Sequence, residues 1–102
     1  MEKRYQTIYH SSVTDFLREL PSKDRSNIEG DVEVMRSGDL HSPRIKTLRG
    51  PIKELIVKEY RLLFFIHEHF IYFVRAFRKK SMKTPRKEIE YAERIYKLTT
   101  AI

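Results

Sequence analysis

The sequence predicts an α+β domain in which helices pack on one face of a curved antiparallel sheet. Three observations carry this prediction. Two stretches in the first third of the chain repeat apolar residues every three to four positions, as amphipathic helices do. Short apolar and aromatic runs then follow one another closely, which indicates a β-meander. A proline-started amphipathic segment comes last, so the predicted order is β-α-α-β-β-β-α in a single domain, residues 1–102.

The first elements are a strand and two helices. Residues 5–10 are rich in β-formers and are predicted to be the first strand. Ser12 and Asp15 have the spacing of a capping box, and the apolar residues around them share one helix face until Pro21 ends the helix. A second helix is predicted over about residues 22–37, with Gly38 in the place of a left-handed C-terminal cap.

The rest of the chain is predicted to hold a loop, a meander and a last helix. Residues 39–51 are polar and turn-forming, and are predicted to be the loop. Three strands follow, at residues 52–58, 60–66 and 70–77. The second run is apolar on both faces, which predicts a central strand, and residues 67–69 form the turn after it. Thr84 as N-cap and Pro85 as first helical residue start the last helix.

The distribution of charge indicates the class of partner. The formal net charge is +7, but residues 44–87 hold thirteen lysines and arginines and three acidic residues, a local charge of +10. Such an asymmetric field attracts polyanions, and nucleic acid is the commonest partner of such a patch. A solubilising surface or attraction to anionic lipid are the alternatives. Strands interrupt the patch, which disfavours an amphipathic membrane helix.

Several classes of protein and site are disfavoured by composition. The sequence has no cysteine, no apolar leader after Met1 and no apolar run long enough for a membrane span, so we expect a cytoplasmic protein without membrane contact. The three glycines are isolated, so no glycine-rich phosphate loop is predicted. His67 and His69 have a metal-like spacing without a third ligand, and we interpret them, with His10 and His41, as solvated residues. No metal or other cofactor is predicted.

A cluster of basic residues is the candidate site. Arg61 begins the predicted central strand, and Lys79 and Lys80 follow the end of the neighbouring strand. In a meander the start of one strand lies beside the end of the next, so Arg61 and the segment Arg78-Lys79-Lys80 should meet at one edge of the sheet. A solvated charge cluster is the alternative interpretation. Mutual repulsion of like charges favours an anion-binding site, because an anion compensates it.

The sequence also resembles a known family in three motifs. These are Leu48-x-Gly50-Pro51-x-x-Glu54-Leu55, Tyr60-Arg61-Leu62 and Phe77-x-Lys79-Lys80-Ser81-x-Lys83-Thr84-Pro85, with Glu88-Ile89 and Ala92 after them. Over roughly residues 5–98 the chain resembles the phage-derived branch of the RelE/HigB-like toxins of type II toxin–antitoxin systems. The resemblance implies the RelE, or microbial-ribonuclease-like, fold and a helix-turn-helix antitoxin as partner. It also implies cleavage of mRNA in the ribosomal A site and inhibition of translation.

The resemblance further implies a reaction and a set of residues. In the family the RNA 2′-hydroxyl attacks the adjacent phosphate without a metal, leaving a 2′,3′-cyclic phosphate and a 5′-hydroxyl. Arg61 would clamp the phosphate, since its planar fork suits that anion, and Lys79 and Lys80 would stabilise charge and transfer protons. The further substrate-binding candidates are Lys58, Arg78, Lys83 and, as a base-stacking residue, Tyr91.

Two positions depart from the family pattern. Ile56 stands where the family usually has an arginine, and Phe64 where it often has a tyrosine. Three functions therefore stay open. The first is a ribosome-dependent mRNA endoribonuclease, and the second is a gyrase-directed, ParE-like toxin that cuts no RNA. The third is a catalytically weakened member that acts in a DNA-binding repressor complex. The basic motif at residues 77–85 favours the nuclease. We expect the toxin to contact operator DNA only as part of the complex with its antitoxin.

Overall fold

The computed structural model describes residues 4–101, which form a five-stranded sheet with three helices. The elements are β1 (Gln6–Tyr9), α1 (Ser11–Arg18), α2 (Ser22–Arg36), β2 (Arg44–Arg49), β3 (Ile52–Val57), β4 (Tyr60–His67), β5 (Phe70–Arg78) and α3 (Arg86–Thr100). The strand order is β1-β5-β4-β3-β2. The predicted α+β class, with helices packed on a curved sheet, is confirmed, and the predicted architecture needs three corrections.

The first correction concerns the predicted loop, residues 39–51, which contains the additional strand β2. This strand pairs antiparallel with β3, so the meander has four strands and the element order is β-α-α-β-β-β-β-α. Ile45 and Leu48 of β2 are half-buried, whereas its charged residues are exposed. β2 is an edge strand with one solvated face, and such a strand carries no continuous apolar run.

The second correction is that the helices cover both faces of the sheet. α1 and α2 pack on one face, where their residues Val13, Leu17, Ile28, Val32 and Met35 contact Leu55, Leu62, Phe64 and Phe73 of the sheet. α3 covers the opposite face, where Ala92 packs against Ile52, Leu63, Phe65 and Val74. β4 is therefore buried on both sides, as its run of apolar residues requires, and the faces are here called the α1–α2 face and the α3 face.

The third correction is that the sheet is not wholly antiparallel. β1 lies parallel to β5, with Gln6 opposite Phe70 and Tyr9 opposite Phe73. The first strand of the chain thus completes the edge of the sheet beside its last strand. The pairing joins residues that are far apart in sequence, so no local sequence pattern predicts it.

The ends of the first two helices show one difference from prediction and one agreement. α1 is capped by His10, whose Nδ1 accepts a hydrogen bond from the backbone N–H of Ser12 at 3.4 Å. Gly38 follows α2 with a φ of 106°, and its N–H donates to the carbonyl of Met35 at 3.0 Å, as predicted for the C-terminal cap. None of the helices that the structure describes is both long and apolar enough to cross a membrane.

Two-residue turns set the register of the meander. Residues 58 and 59 join β3 to β4, and residues 68 and 69 join β4 to β5. The first residue of each turn has a positive φ, which is 54° at Lys58 and 56° at Glu68. His67 ends β4 rather than belonging to the turn. Turns this short hold the beginning of β4 beside the end of β5, which positions the candidate site.

Candidate anion-binding site

Arg61 lies on the α3 face of the sheet, near the end of the β3–β4 hairpin. It stands opposite Ile56 of β3 and Phe77 of β5. Leu63 and Phe65, two and four residues further along β4, belong to the core beneath α3. Because alternate residues of a strand share a face, the side chain of Arg61 projects on the same side of the sheet as α3.

A cleft of about 530 Å³ opens beside Arg61. It is lined by Glu59, Arg61, Lys79, Lys80, Ser81 and Met82. The backbone N–H of Lys79 donates to the carbonyl of Glu59 at 2.7 Å, so the chain after β5 stays attached to the β3–β4 turn. The predicted proximity of Arg61 to Lys79 and Lys80 is therefore confirmed, and the meander geometry is its cause. The prediction is wrong for Arg78, which does not line the cleft.

The guanidinium of Arg61 is held on one side only. Its Nη1 donates to the carbonyl of Lys58 at 2.7 Å and to that of Tyr60 at 2.9 Å. Its Nε is buried and has no hydrogen-bond partner among residues 4–101. A buried donor without an acceptor costs about 1–3 kcal/mol. No hydrogen bond among residues 4–101 involves Nη2, which leaves that nitrogen to donate to an oxyanion in the cleft. The orientation of Arg61 therefore suits anion binding.

The basic segment after β5, residues 79–85, is attached to the sheet by a buried carboxylate. Glu54 of β3 is fully buried on the α3 face, and its Oε2 accepts a hydrogen bond from the hydroxyl of Thr84. Thr84 was predicted to cap α3, but Pro85 occupies that position and Thr84 contacts Glu54 instead. The segment therefore crosses from β5 to β3 on the α3 face, and it passes the beginning of β4 where Arg61 lies.

Glu59 is a cleft residue that the sequence analysis did not single out. It is the one carboxylate among the residues that line the cleft. Its Oε2 lies 3.8 Å from Nε of Arg78, and its side chain is about half exposed. An acidic residue within a strongly basic segment gave no signal by itself. Its place directly before Tyr60-Arg61 was the one available indication.

Lys58 and Arg78 do not line the cleft. Apart from the contact of Arg78 with Glu59, their side chains contact residues on the α1–α2 side. Nζ of Lys58 lies 3.3 Å from Oδ1 of Asp24 in α2. The hydroxyl of Tyr60 donates to Oδ2 of Asp24 at 2.7 Å and accepts from Nη2 of Arg78 at 3.2 Å. The hydrogen bond from Tyr60 lowers the pKa of Asp24 and, in return, raises the pKa of Tyr60. Both basic side chains thus help to attach α2 to the sheet.

Lys83 and Tyr91 also lie outside the cleft lining. Lys83 is exposed, and its carbonyl accepts a hydrogen bond from the hydroxyl of Ser81 at 2.9 Å. Tyr91 of α3 has the guanidinium of Arg75 5.1 Å from its ring centre and its hydroxyl 3.4 Å from Nε2 of His10. The contacts of Tyr91 therefore join α3 to β5 and to the start of α1.

The two departures from the family pattern occupy different faces. Ile56 lies beside Arg61 on the α3 face, and it borders the site. Phe64 is fully buried in the core on the α1–α2 face, with its ring centre 5.4 Å from that of Phe73. A hydroxyl at position 64 would therefore have no access to the cleft, and only Ile56 bears on its chemistry.

A second groove, of about 290 Å³, lies between β1, α1 and α2. Its arginines are engaged within the fold. Arg18 pairs with Asp15 at 3.4 Å, and Arg25 donates to the carbonyl of Arg18 at 3.5 Å. Across residues 4–101 no three histidine, aspartate or glutamate side chains converge as metal ligands would. The cleft beside Arg61 is therefore the stronger candidate site.

Comparison with known proteins assigns the chain to a family. Residues 15–97 match the family described as phage-derived protein Gp49-like, DUF891. No curated protein matches the chain significantly. The fold is similar to three solved structures. One is the archaeal RelE-RelB complex from Pyrococcus horikoshii OT3, with a TM-score of 0.67 and 12% identity over 78% of this chain and 99% of that chain.

The second is the RelB-RelE antitoxin-toxin complex from Methanococcus jannaschii, with a TM-score of 0.57 and 23% identity over 81% of this chain and 94% of that chain. The third is the isolated E. coli RelE toxin, with a TM-score of 0.58 and 18% identity over 89% of this chain and 98% of that chain. At these identities the structures establish a RelE-like fold. Because the family match covers most of its length, the chain belongs to the Gp49-like family of phage-derived proteins.

Proposed function

We propose that this chain is the toxin of a toxin–antitoxin pair and that it cuts mRNA on the ribosome in the cytoplasm. The observation that carries the proposal is the grouping of Arg61, Lys79 and Lys80 in one cleft on a RelE-like fold. Among residues 4–101 none of the three has a carboxylate partner. Cations that are close together and unneutralised favour the binding of a phosphate.

The proposed reaction is a metal-independent transesterification. The free edge of Arg61 holds the non-bridging oxygens of the scissile phosphate. The 2′-hydroxyl loses its proton to the carboxylate of Glu59, and its oxygen attacks the phosphorus. As the bond to the 5′-oxygen breaks, the ammonium group of Lys79 or Lys80 protonates that oxygen. The products are a 2′,3′-cyclic phosphate and a 5′-hydroxyl.

The form of the cleft supports a requirement for the ribosome. The cleft is open, and no histidine lines it. Its residues are suited to stabilising charge, but a single exposed carboxylate is a weak base and does little to orient a ribose. Holding the 2′-hydroxyl in line with the leaving oxygen removes a large part of the activation free energy in such reactions. We infer that the ribosome supplies this alignment.

The proposed regulator is a helix-turn-helix antitoxin. In the complex of toxin and antitoxin, only the antitoxin would contact operator DNA. Two of the similar structures are RelE complexes with RelB. The antitoxin is expected to cover the cleft or to displace α3. Chemical modification of Lys79 and Lys80 should therefore decrease when antitoxin is added, unless α3 is displaced instead. Unchanged modification with α3 undisturbed would contradict this arrangement.

The function is tested by induced expression together with cleavage by the purified protein. The wild type should arrest growth and cut mRNA on translating ribosomes much faster than free RNA. Arg61→Ala and Lys79→Ala/Lys80→Ala should abolish cleavage while remaining folded, since each transition-state contact is worth about 2–4 kcal/mol. Lys23→Ala, at an exposed position of α2 on the other side of the sheet, is the control and should retain activity.

The outcomes separate the three functions that the sequence leaves open. Growth arrest with ribosome-bound mRNA intact would contradict the nuclease and would favour a gyrase-directed toxin, which is then assayed by DNA supercoiling. Neither arrest nor cleavage, with retained binding of operator DNA in complex with the antitoxin, would identify a member that acts in repression alone.

A further inference from the structure

The basic residues between positions 44 and 87 fall into two groups. One group is neutralised within the fold, as for Lys58 with Asp24, Arg49 with Glu93 and Arg75 with Glu88. The other group has no carboxylate partner among residues 4–101 and includes Arg44, Lys46, Arg61, Lys79 and Lys80. Two of these, Arg44 and Lys46, lie on β2, outside the cleft.

The register of the sheet places Arg44 and Lys46 on the same face as Arg61. Arg44 stands opposite Ile56, which in turn stands opposite Arg61, so the three residues form one row across β2, β3 and β4. Lys46 stands opposite Glu54, whose carboxylate also lies on the α3 face. Residues paired across strands project to the same side, and two strand spacings put the backbone of Arg44 about 10 Å from that of Arg61.

The surroundings keep these two side chains accessible. Both are exposed, whereas Ile45 between them packs into the opposite core and so fixes the direction of the strand. β2 is the last strand on that side of the sheet that residues 4–101 form. Ile56 separates Arg44 from Arg61 with an apolar surface. Basic residues thus stand on this face both in the cleft and at the edge of the sheet, and this spacing suits an extended polyanion better than a single ion.

We propose that Arg44 and Lys46 form a second phosphate-binding position, in which each side chain contacts one phosphate of the RNA backbone beside the phosphate bound at Arg61. The ligand class is the phosphodiester backbone of single-stranded RNA, and its identity as RNA rests on the proposed function. Neither residue takes part in the reaction. They add affinity and fix the direction in which the strand crosses the cleft, since phosphate contacts set register.

The test measures the salt dependence of RNA binding. The probe is a short single-stranded RNA with 2′-O-methyl groups, which the protein cannot cut, and the variant is Arg44→Gln/Lys46→Gln. Each phosphate contact on single strands contributes about 0.7 to the slope of log affinity against log salt, so loss of two contacts should reduce the slope by about 1.4. The control Arg18→Gln/Lys23→Gln removes the same charge from the α1–α2 side and should leave the slope unchanged.

A reduced slope in the β2 variant alone supports the proposal. An unchanged slope overturns the proposal even if association with ribosomes becomes weaker, because the two residues would then contact ribosomal RNA and not the strand that crosses the cleft. The proposal is also overturned if the variant equals the control in both assays, or if it weakens only the binding of the antitoxin. In either case, cleavage by the wild type would leave the proposed function intact. A wild type that neither binds nor cuts RNA overturns both.

Discussion

Replacing Thr84 by valine should destabilise the protein, because it removes the one hydrogen bond that the carboxylate of Glu54 receives from residues 4–101. Valine keeps the shape of threonine but has no hydroxyl. Glu54 is fully buried, so water cannot replace the lost donor, and its Oε1 already lacks a partner among residues 4–101. The change thus leaves a buried carboxylate with neither oxygen hydrogen-bonded.

The expected loss follows from the type of contact. A hydrogen bond to a charged group contributes about 1.5–3 kcal/mol, and leaving a buried acceptor unsatisfied lies at the upper end of that range. We therefore expect Thr84→Val to lower the free energy of unfolding by about 2–3 kcal/mol. In a Glu54→Gln background the acceptor is neutral, and the same substitution should cost only about 1 kcal/mol.

Urea unfolding of the four proteins in this cycle measures both values, and Thr84→Ser, which keeps the hydroxyl, should restore stability. Ribosome-dependent cleavage should fall with Thr84→Val, because the segment that carries Lys79 and Lys80 loses its attachment to β3. An unfolding free energy for Thr84→Val within about 0.5 kcal/mol of the wild type, the range of neutral surface changes, would refute the reasoning.

Three further outcomes are expected. Glu59→Gln should slow cleavage at least about 100-fold, the lower range for general bases, without weakening RNA binding. Cleavage at the wild-type rate would exclude Glu59 as the base. The pKa of Asp39 is lowered to about 2, and the largest cause is the hydrogen bond from the Ser42 side chain. Asp39 therefore stabilises the fold above pH 3.8 and loses that contribution as the pH falls to about 2. Asp39→Asn should therefore be less stable than the wild type in neutral urea unfolding and equal to it below pH 2, and a gap that persists in acid would contradict this. Gly38→Ala should cost about 1–3 kcal/mol in thermal unfolding, since φ is 106° and the new Cβ would lie 2.7 Å from Cγ of Arg4. Gly30→Ala, at an open position in α2, is the control and should be neutral or stabilising.

The parts of the fold that the sequence predicted are those with a complete apolar pattern, and β2 lacks one. Only Ile45 and Leu48 mark it as a strand, and a register shift between Thr47 and Arg49 interrupts the alternation. Polar and turn-forming neighbours then favour a loop. By contrast, the run in β4 contained information that the prediction did not use. A strand that is apolar on both faces needs a layer on each, so α3 had to pack opposite α1 and α2.

The site was predictable where its geometry depends on neighbouring strands. Two-residue turns bring Arg61 and Lys79 together, and the spacing of the strands was readable in the sequence. Lys58 was assigned to the same site, but its side chain is oriented by its ion pair with Asp24. That contact exists only because α2 packs against the sheet. Such contacts between distant elements are decided by tertiary structure. The basic residues of β2 escaped notice because the strand itself did.

The pairing of β1 with β5 also bears on when this protein becomes complete during its own synthesis. Residues 6–9 find their partners only once residues 70–73 have been made. Lys79, Lys80 and Thr84 follow them, and α3 comes last. Domains form as the chain leaves the ribosome, so this edge of the sheet can close only after residues 70–73 have emerged. The cleft also needs Lys79 and Lys80, which emerge later still, so it is among the last parts of the domain to be completed.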